Sequence, residues 1–146
     1  MNSDSVRESL RSVLDAEANS ILSLGADLPA SVETAVEWIF RCQGRVLTCG
    51  IGKSGHIARK TAGTLSSTGT PSAFLHAAEA VHGDLGMVTD KDIVILYSHS
   101  GETDEVVNMF VPLHAIGAQT ILMTGRVSSS AANLAHLVVD TGVREE

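Results

Sequence analysis

Past Arg45 the chain alternates short, nearly continuous apolar runs with stretches of helical period. The runs Val46–Cys49, Ser72–Leu75, Ile93–Tyr97, Thr120–Met123 and His136–Val139 read as strands. None alternates polar with apolar, as expected of strands covered on both faces of a parallel sheet. Between them Ser54–Ser67, Thr103–Ile116 and Ser129–Leu134 read as crossover helices, with a shorter helical piece over Ala77–Val81. Ahead of this region Val6, Leu10, Val13, Leu14, Ile21 and Leu22 recur at helical spacing behind a capping box of Ser5 and Glu8. Gly25 ends that helix. Pro29 suits the first turn of a second one, which carries Val32, Val36, Ile39 and Phe40 on one face and stops at Gly44. The pattern predicts an α/β domain, a five-stranded parallel sheet flanked by helices and doubly wound with right-handed crossovers. Residues 1–146 form one domain in this reading, with N-terminal helices over 1–43 and the sheet core over 44–146.

Composition narrows the class further. With 44% hydrophobic and 18% charged residues the chain is too apolar for disorder. Aromatics are only 3%, so the core is built from Val, Ile, Leu and Ala. A net charge of −7 without any Lys/Arg stripe argues against nucleic acid and anionic membranes as partners. No run nears the roughly 18 apolar residues of a membrane span, and MNSDSVRESL lacks the regions of a signal peptide. A cytoplasmic protein is expected, with Cys42 and Cys49 reduced. The lone C-x6-C and the lack of H-x-H or H-x-x-x-H spacing give no metal site. After the last strand only Thr141–Glu146 remain, and an edge strand without a covering helix leaves apolar surface open. A partner subunit or a longer chain is expected to cover it. The same surface and the amphipathic first helix predict a homo-oligomer.

Two loops stand at the carboxyl ends of strands, where open α/β sheets bind ligands. The first is Gly50-Ile51-Gly52-Lys53-Ser54-Gly55-His56, whose glycines let the backbone approach a ligand ahead of a helix. The second is Ser98-His99-Ser100-Gly101-Glu102-Thr103-Asp104-Glu105, three hydroxyls and a glycine in a phosphate-sized nest. Helix capping alone would also explain such Ser and Thr residues. The first loop spells G-x-G-x-x-G, but a dinucleotide site wants an acid about 20 residues on, where Leu75 and His76 stand. A P-loop fails as well, because Leu47 occupies its first glycine position.

The segment GIGKSGHIARKTAGTLSSTGTPSAFLHAAEAVHGDLGMV, followed by YSHSGETDEVV, resembles the sugar isomerase (SIS) domain. More narrowly it resembles the arabinose 5-phosphate isomerases that start Kdo synthesis for lipopolysaccharide or capsule, from about Ala18 to Val143. That resemblance implies a flavodoxin-like, Rossmann-like five-stranded fold, tetrameric assembly, no cofactor, and conversion of D-ribulose 5-phosphate to D-arabinose 5-phosphate. Carried over residue by residue, Ser98, Ser100, Gly101 and Thr103 hold the phosphate, with Gly52 and Ser54 opposite. The family's catalytic lysine falls on Lys53, its HGDLG histidine on His82 and its glutamate on Glu105. Aldose–ketose isomerisation needs a base to move a proton between C1 and C2 and acids to polarise the carbonyl. Glu105 suits the base, Lys53 the enediolate counter-charge and His82 the ring opening. Structural readings stand beside these: a first-turn carboxylate favoured by the helix dipole for Glu105, a satisfied histidine for His82.

His56 and His76 also belong to the family's loops, without a role legible in sequence, while His114 and His136 read as helix-face and strand-end residues. His99 stands where the family usually has asparagine. The chain also ends before the family's last helical segments, which carry a further histidine, and it lacks the CBS modules of full-length relatives. A phosphosugar-binding SIS domain with a regulatory rather than catalytic role is the alternative, and a phosphoheptose isomerase or amino-sugar relative a third.

Overall fold

Strands Val46–Gly50 (β1), Ser72–His76 (β2), Ile93–Tyr97 (β3), Gln119–Thr124 (β4) and Leu137–Asp140 (β5) pair in the order β2-β1-β3-β4-β5. Every pairing is parallel in this computed structural model, which describes residues 3–142. The expected end of the family resemblance at Val143, and residues 143–146, lie outside the described residues. The helices are Ser3–Ala26 (α1), Ser31–Arg41 (α2), Gly52–Ser67 (α3), Ala77–Ala80 (α4), Asp104–Val107 (α5), Phe110–Ile116 (α6) and Ser130–Leu134 (α7). A 3₁₀ turn covers Asp84–Met87.

Side-chain alternation sends each strand to two cores at once. Leu47, Cys49, Val94, Leu96 and Leu122 pack with Val106, Met109, Phe110, Leu113 and Ala131 under α5, α6 and α7. Val46, Ile93, Ile95, Ile121 and Val139 face the other way, toward Ala35 of α2 and Leu65 of α3. This double burial is why the strands read as unbroken apolar runs. Their boundaries move by a residue or so: β5 begins after His136, whose ring instead takes the Thr120 N–H at 3.1 Å.

Two helical expectations are corrected. Thr103–Ile116 is not one helix. It breaks at Asn108 and Met109, where Met109 N–H turns to Val106 O at 3.2 Å. Pro112 explains the break, since it has no N–H to return to Asn108 and its ring crowds that carbonyl. At the chain start, α1 already includes Ser5, so that side chain sits inside the first turn rather than capping it. Pro29 likewise precedes the Ala30 cap of α2, and its carbonyl takes the Val32 N–H at 2.9 Å.

On α1 the apolar side chains stay open, Leu10, Leu14, Ile21 and Leu22 being 61–72% exposed. Beneath α2 and α3 an apolar groove of about 240 Å³ is floored by Ile95, Ile121, Met123 and Val139. The strand order reverses between β1 and β3, because β1 passes through α3 to β2 on one side while β3, β4 and β5 build outward on the other. Loops leaving the carboxyl ends of β1 and β3 diverge there and open a crevice.

Candidate functional site

Both sequence-selected loops leave that edge side by side, since Cys49 of β1 lies opposite Leu96 of β3. The first turns at Gly52, whose φ of +58° is a conformation only glycine adopts without strain. The other glycines have a different reason from the expected one. A Cβ on Gly50 would stand 3.1 Å from Ser54 and Gly55 backbone, and one on Gly55 3.1 Å from Gly50 O. Gly50 and Gly55 therefore let β1 and α3 pack on each other, and only Gly52 faces open space. Lys53 and Ser54 follow in the first turn of α3, Lys53 exposed and Ser54 half-buried.

The second loop is held by its own hydroxyls. Ser98, 3% exposed, lies with its Oγ 3.2 Å from Thr103 Oγ1 and accepts the Gly101 N–H at 3.1 Å. Ser100 Oγ accepts the Glu102 N–H at 3.2 Å. Thr103 caps α5 through its backbone carbonyl, which takes the Val106 and Val107 N–H groups, leaving the hydroxyl turned toward Ser98. Gly101 has φ +65° and its carbonyl accepts Ala131 N–H at 3.0 Å. Glu102 Oε1 accepts Ser130 N–H at 3.0 Å, and these bonds to Ser130 hold its carboxyl below the usual range. Sequence reasoning missed this staple to α7, because nothing local to Glu102 points to a helix 28 residues on. It also missed Thr124, whose hydroxyl donates to His99 O at 3.1 Å.

A cavity of about 250 Å³ at the edge is lined by Ser54, Ser98, His99, Tyr97 and Thr124 among others. It brings Ser54 and Ser98 to one cavity. Lys53, His82 and Glu105 do not line it, nor do Gly52, Ser100, Gly101 and Thr103. Glu105 is exposed on α5, and His82 is exposed between α4 and the 3₁₀ turn, beyond β2. Tyr97 donates to Thr61 Oγ1 at 3.2 Å, and burial pushes its phenol up. Cys49, on the opposite face of the sheet, is sealed in the core, where burial pushes its thiol up to about 12.

An all-parallel sheet with diverging loops at its reversal point defines a doubly wound α/β domain with its ligand crevice at the carboxyl edge. More narrowly, residues 39–146 match the model of the SIS domain, and the chain belongs to that family. It is 45% identical over 131 residues to arabinose 5-phosphate isomerase KdsD of Escherichia coli K12, covering 88% of this chain and 40% of that protein. It is 42% identical over 130 residues to KdsD of Pseudomonas aeruginosa PAO1, covering 89% of this chain and 40% of the relative. A solved structure of E. coli CFT073 c3406 in complex with arabinose 5-phosphate superposes with a TM-score of 0.96 at 39% identity, covering 100% of this chain and 78% of that one. The chain thus spans 40% of the length of these curated relatives.

Proposed function

We propose that this chain is the sugar-binding domain of an isomerase that interconverts D-ribulose 5-phosphate and D-arabinose 5-phosphate, the step that opens Kdo synthesis for lipopolysaccharide or capsule. The observation that carries the reading is the hydroxyl nest of Ser98, Ser100 and Thr103 beside the Lys53 loop at the sheet's reversal point. The phosphate sits against Ser98, Ser100, Gly101 and Thr103, with Gly52 and Ser54 across the crevice. Glu105 takes the proton from C2 of the aldose and returns it to C1 while the O2 hydroxyl proton passes to O1, so that no net proton leaves the pair. The Lys53 ammonium balances the enediolate charge, and His82 opens or orients the sugar. No cofactor enters these steps.

The protein acts in the cytoplasm as a homotetramer, a reading supported by the open apolar side chains of α1. Incubating the full-length protein with ribulose 5-phosphate should produce arabinose 5-phosphate. Glu105→Gln keeps the shape but removes the base, and should lower turnover by about 10²–10⁴-fold with binding spared. Binding of the sugar phosphate without turnover in the full-length protein would favour the regulatory alternative.

A further inference from the structure

Past Ser98, whose N–H still pairs with Met123 O of β4, the loop to Thr103 is hydrogen-bonded outward at His99, Gly101 and Glu102. All these bonds go to the segment that runs from Thr124 into α7. His99 O accepts the Gly125 N–H and the Thr124 hydroxyl, each at 3.1 Å, and Gly101 O accepts the Ala131 N–H at 3.0 Å. Both acceptors are backbone carbonyls, which every side chain at those positions would leave in place. Glu102 differs, because its own Oε1 accepts the Ser130 N–H at 3.0 Å. The hydroxyls of Ser98, Ser100 and Thr103 bond inside the loop. Among the described residues, Glu102 is thus the one loop side chain fastened to another element.

The same residue sets Ser100. Its backbone N–H donates to Ser100 Oγ at 3.2 Å. With that lone pair taken, the Ser100 O–H turns away from Glu102 and is left to donate to an oxyanion. The Glu102 carboxylate stands beside the proposed phosphate position, where an untied negative charge would repel the ligand. The Ser130 hydroxyl and N–H tie it to the start of α7 and, with Arg126, hold it ionised below the usual carboxylate range. We infer that Glu102 is a positioning residue for phosphate: anchored on Ser130, it fixes the N–H that orients the Ser100 hydroxyl. It touches no substrate and acts through Ser100, so the assignment rests on the phosphate placement proposed above. Binding groups must be held within about 0.5 Å of the productive geometry, whereas an exposed side chain such as Glu102 adds little to global stability. Loss of the anchor is therefore read in affinity and not in unfolding.

The test compares the full-length protein with its Glu102→Gln, Glu102→Ala and Glu102→Asp variants. It reads KM and kcat, calorimetric Kd for inorganic phosphate and arabinose 5-phosphate, and amide hydrogen exchange. Gln and Ala both remove the charge, but only Gln still offers an oxygen to the Ser130 N–H. Ala should raise KM and both Kd values about three- to tenfold over Gln, with kcat within about twofold. Gln should stay at or below the wild-type KM, having kept the bond and lost a repelling charge. Asp keeps the charge but is a methylene short, and should behave as Ala. The Gly101 and Glu102 amides should exchange faster in Ala than in Gln, while the amides of β3 and β4 exchange as in the wild type. Gln as weak as Ala, Asp matching the wild type, or strand amides loosening with the loop would each overturn the assignment. A wild-type protein that binds inorganic phosphate but not arabinose 5-phosphate would overturn the proposed function alone, and one that binds neither would overturn both.

Discussion

Replacing Gly101 by alanine tests how the Ser98–Thr103 loop is held. With φ at +65°, an L-residue there costs about 1–2 kcal/mol. The new methyl would also meet Ser129, its Cβ only 2.5 Å away with Oγ closer still. Rotating Ser129 moves the hydroxyl but not its Cβ, and rotation gives up the cap bond from Ala132 N–H, worth about 1 kcal/mol. Relief then requires the loop to part from α7, straining the 3.0 Å bond from Ala131 N–H to Gly101 O, about another 1 kcal/mol. Gly101→Ala should therefore destabilise by about 3–4 kcal/mol, a fall in Tm of about 10 °C for a chain of this size. Adding Ser129→Gly removes the obstruction and forfeits only a few tenths of capping energy. The double variant should therefore be more stable than Gly101→Ala by about 1–2 kcal/mol, a coupling read from urea midpoints in a double-mutant cycle. A single variant losing under about 1 kcal/mol, or a double variant weaker than the single, would refute the reasoning.

Three further outcomes are expected. Ser100→Ala with Thr103→Val should weaken sugar phosphate binding by about 2–4 kcal/mol in calorimetry, since each hydroxyl orders the loop and, in the proposed placement, bonds the phosphate. Asp92, 2% exposed, accepts the Arg45 N–H at 2.6 Å and the Thr89 N–H at 2.8 Å. Asp92→Ala should cost about 2–4 kcal/mol by denaturant titration and Asp92→Asn, which keeps one carbonyl oxygen, clearly less. In mass-spectrometric alkylation of the native protein near pH 8, buried Cys49 should stay unmodified while half-buried Cys42 reacts, and unfolding should expose both.

The strands were legible because burial on both faces leaves its mark residue by residue, as in Ile93-Val-Ile-Leu-Tyr97, where no polar position interrupts. The break inside Thr103–Ile116 was legible in principle from Pro112, yet the apolar spacing around it outweighed that cue. Of the site, the Ser98–Thr103 nest could be read locally because its bonds span five residues or fewer. What holds the nest in place could not. Ser129, Ser130 and Ala131 meet Gly101 and Glu102 only after β4 has formed, and no periodicity encodes a meeting across that distance. Gly50 and Gly55 illustrate the reverse error: a ligand-like spacing whose cause is the contact between a strand and its own helix.

The position of β1 also bears on how the chain is made. Its five residues, all buried, are sandwiched between β2 and β3, so the earliest strand to emerge finds its second neighbour only once Tyr97 has been added. At about 5–20 residues per second, that is a wait of roughly 2–10 seconds with Val46–Gly50 unpaired on one edge. Throughout it, the exposed leucines of α1 and Ile21 are already present while that strand is open. The nascent chain therefore passes through a stage with adhesive surface at both its first helix and its first strand, when a ribosome-associated holdase has the most to shield. Circular permutants that synthesise β3 before β1 should shorten that stage and aggregate less during expression.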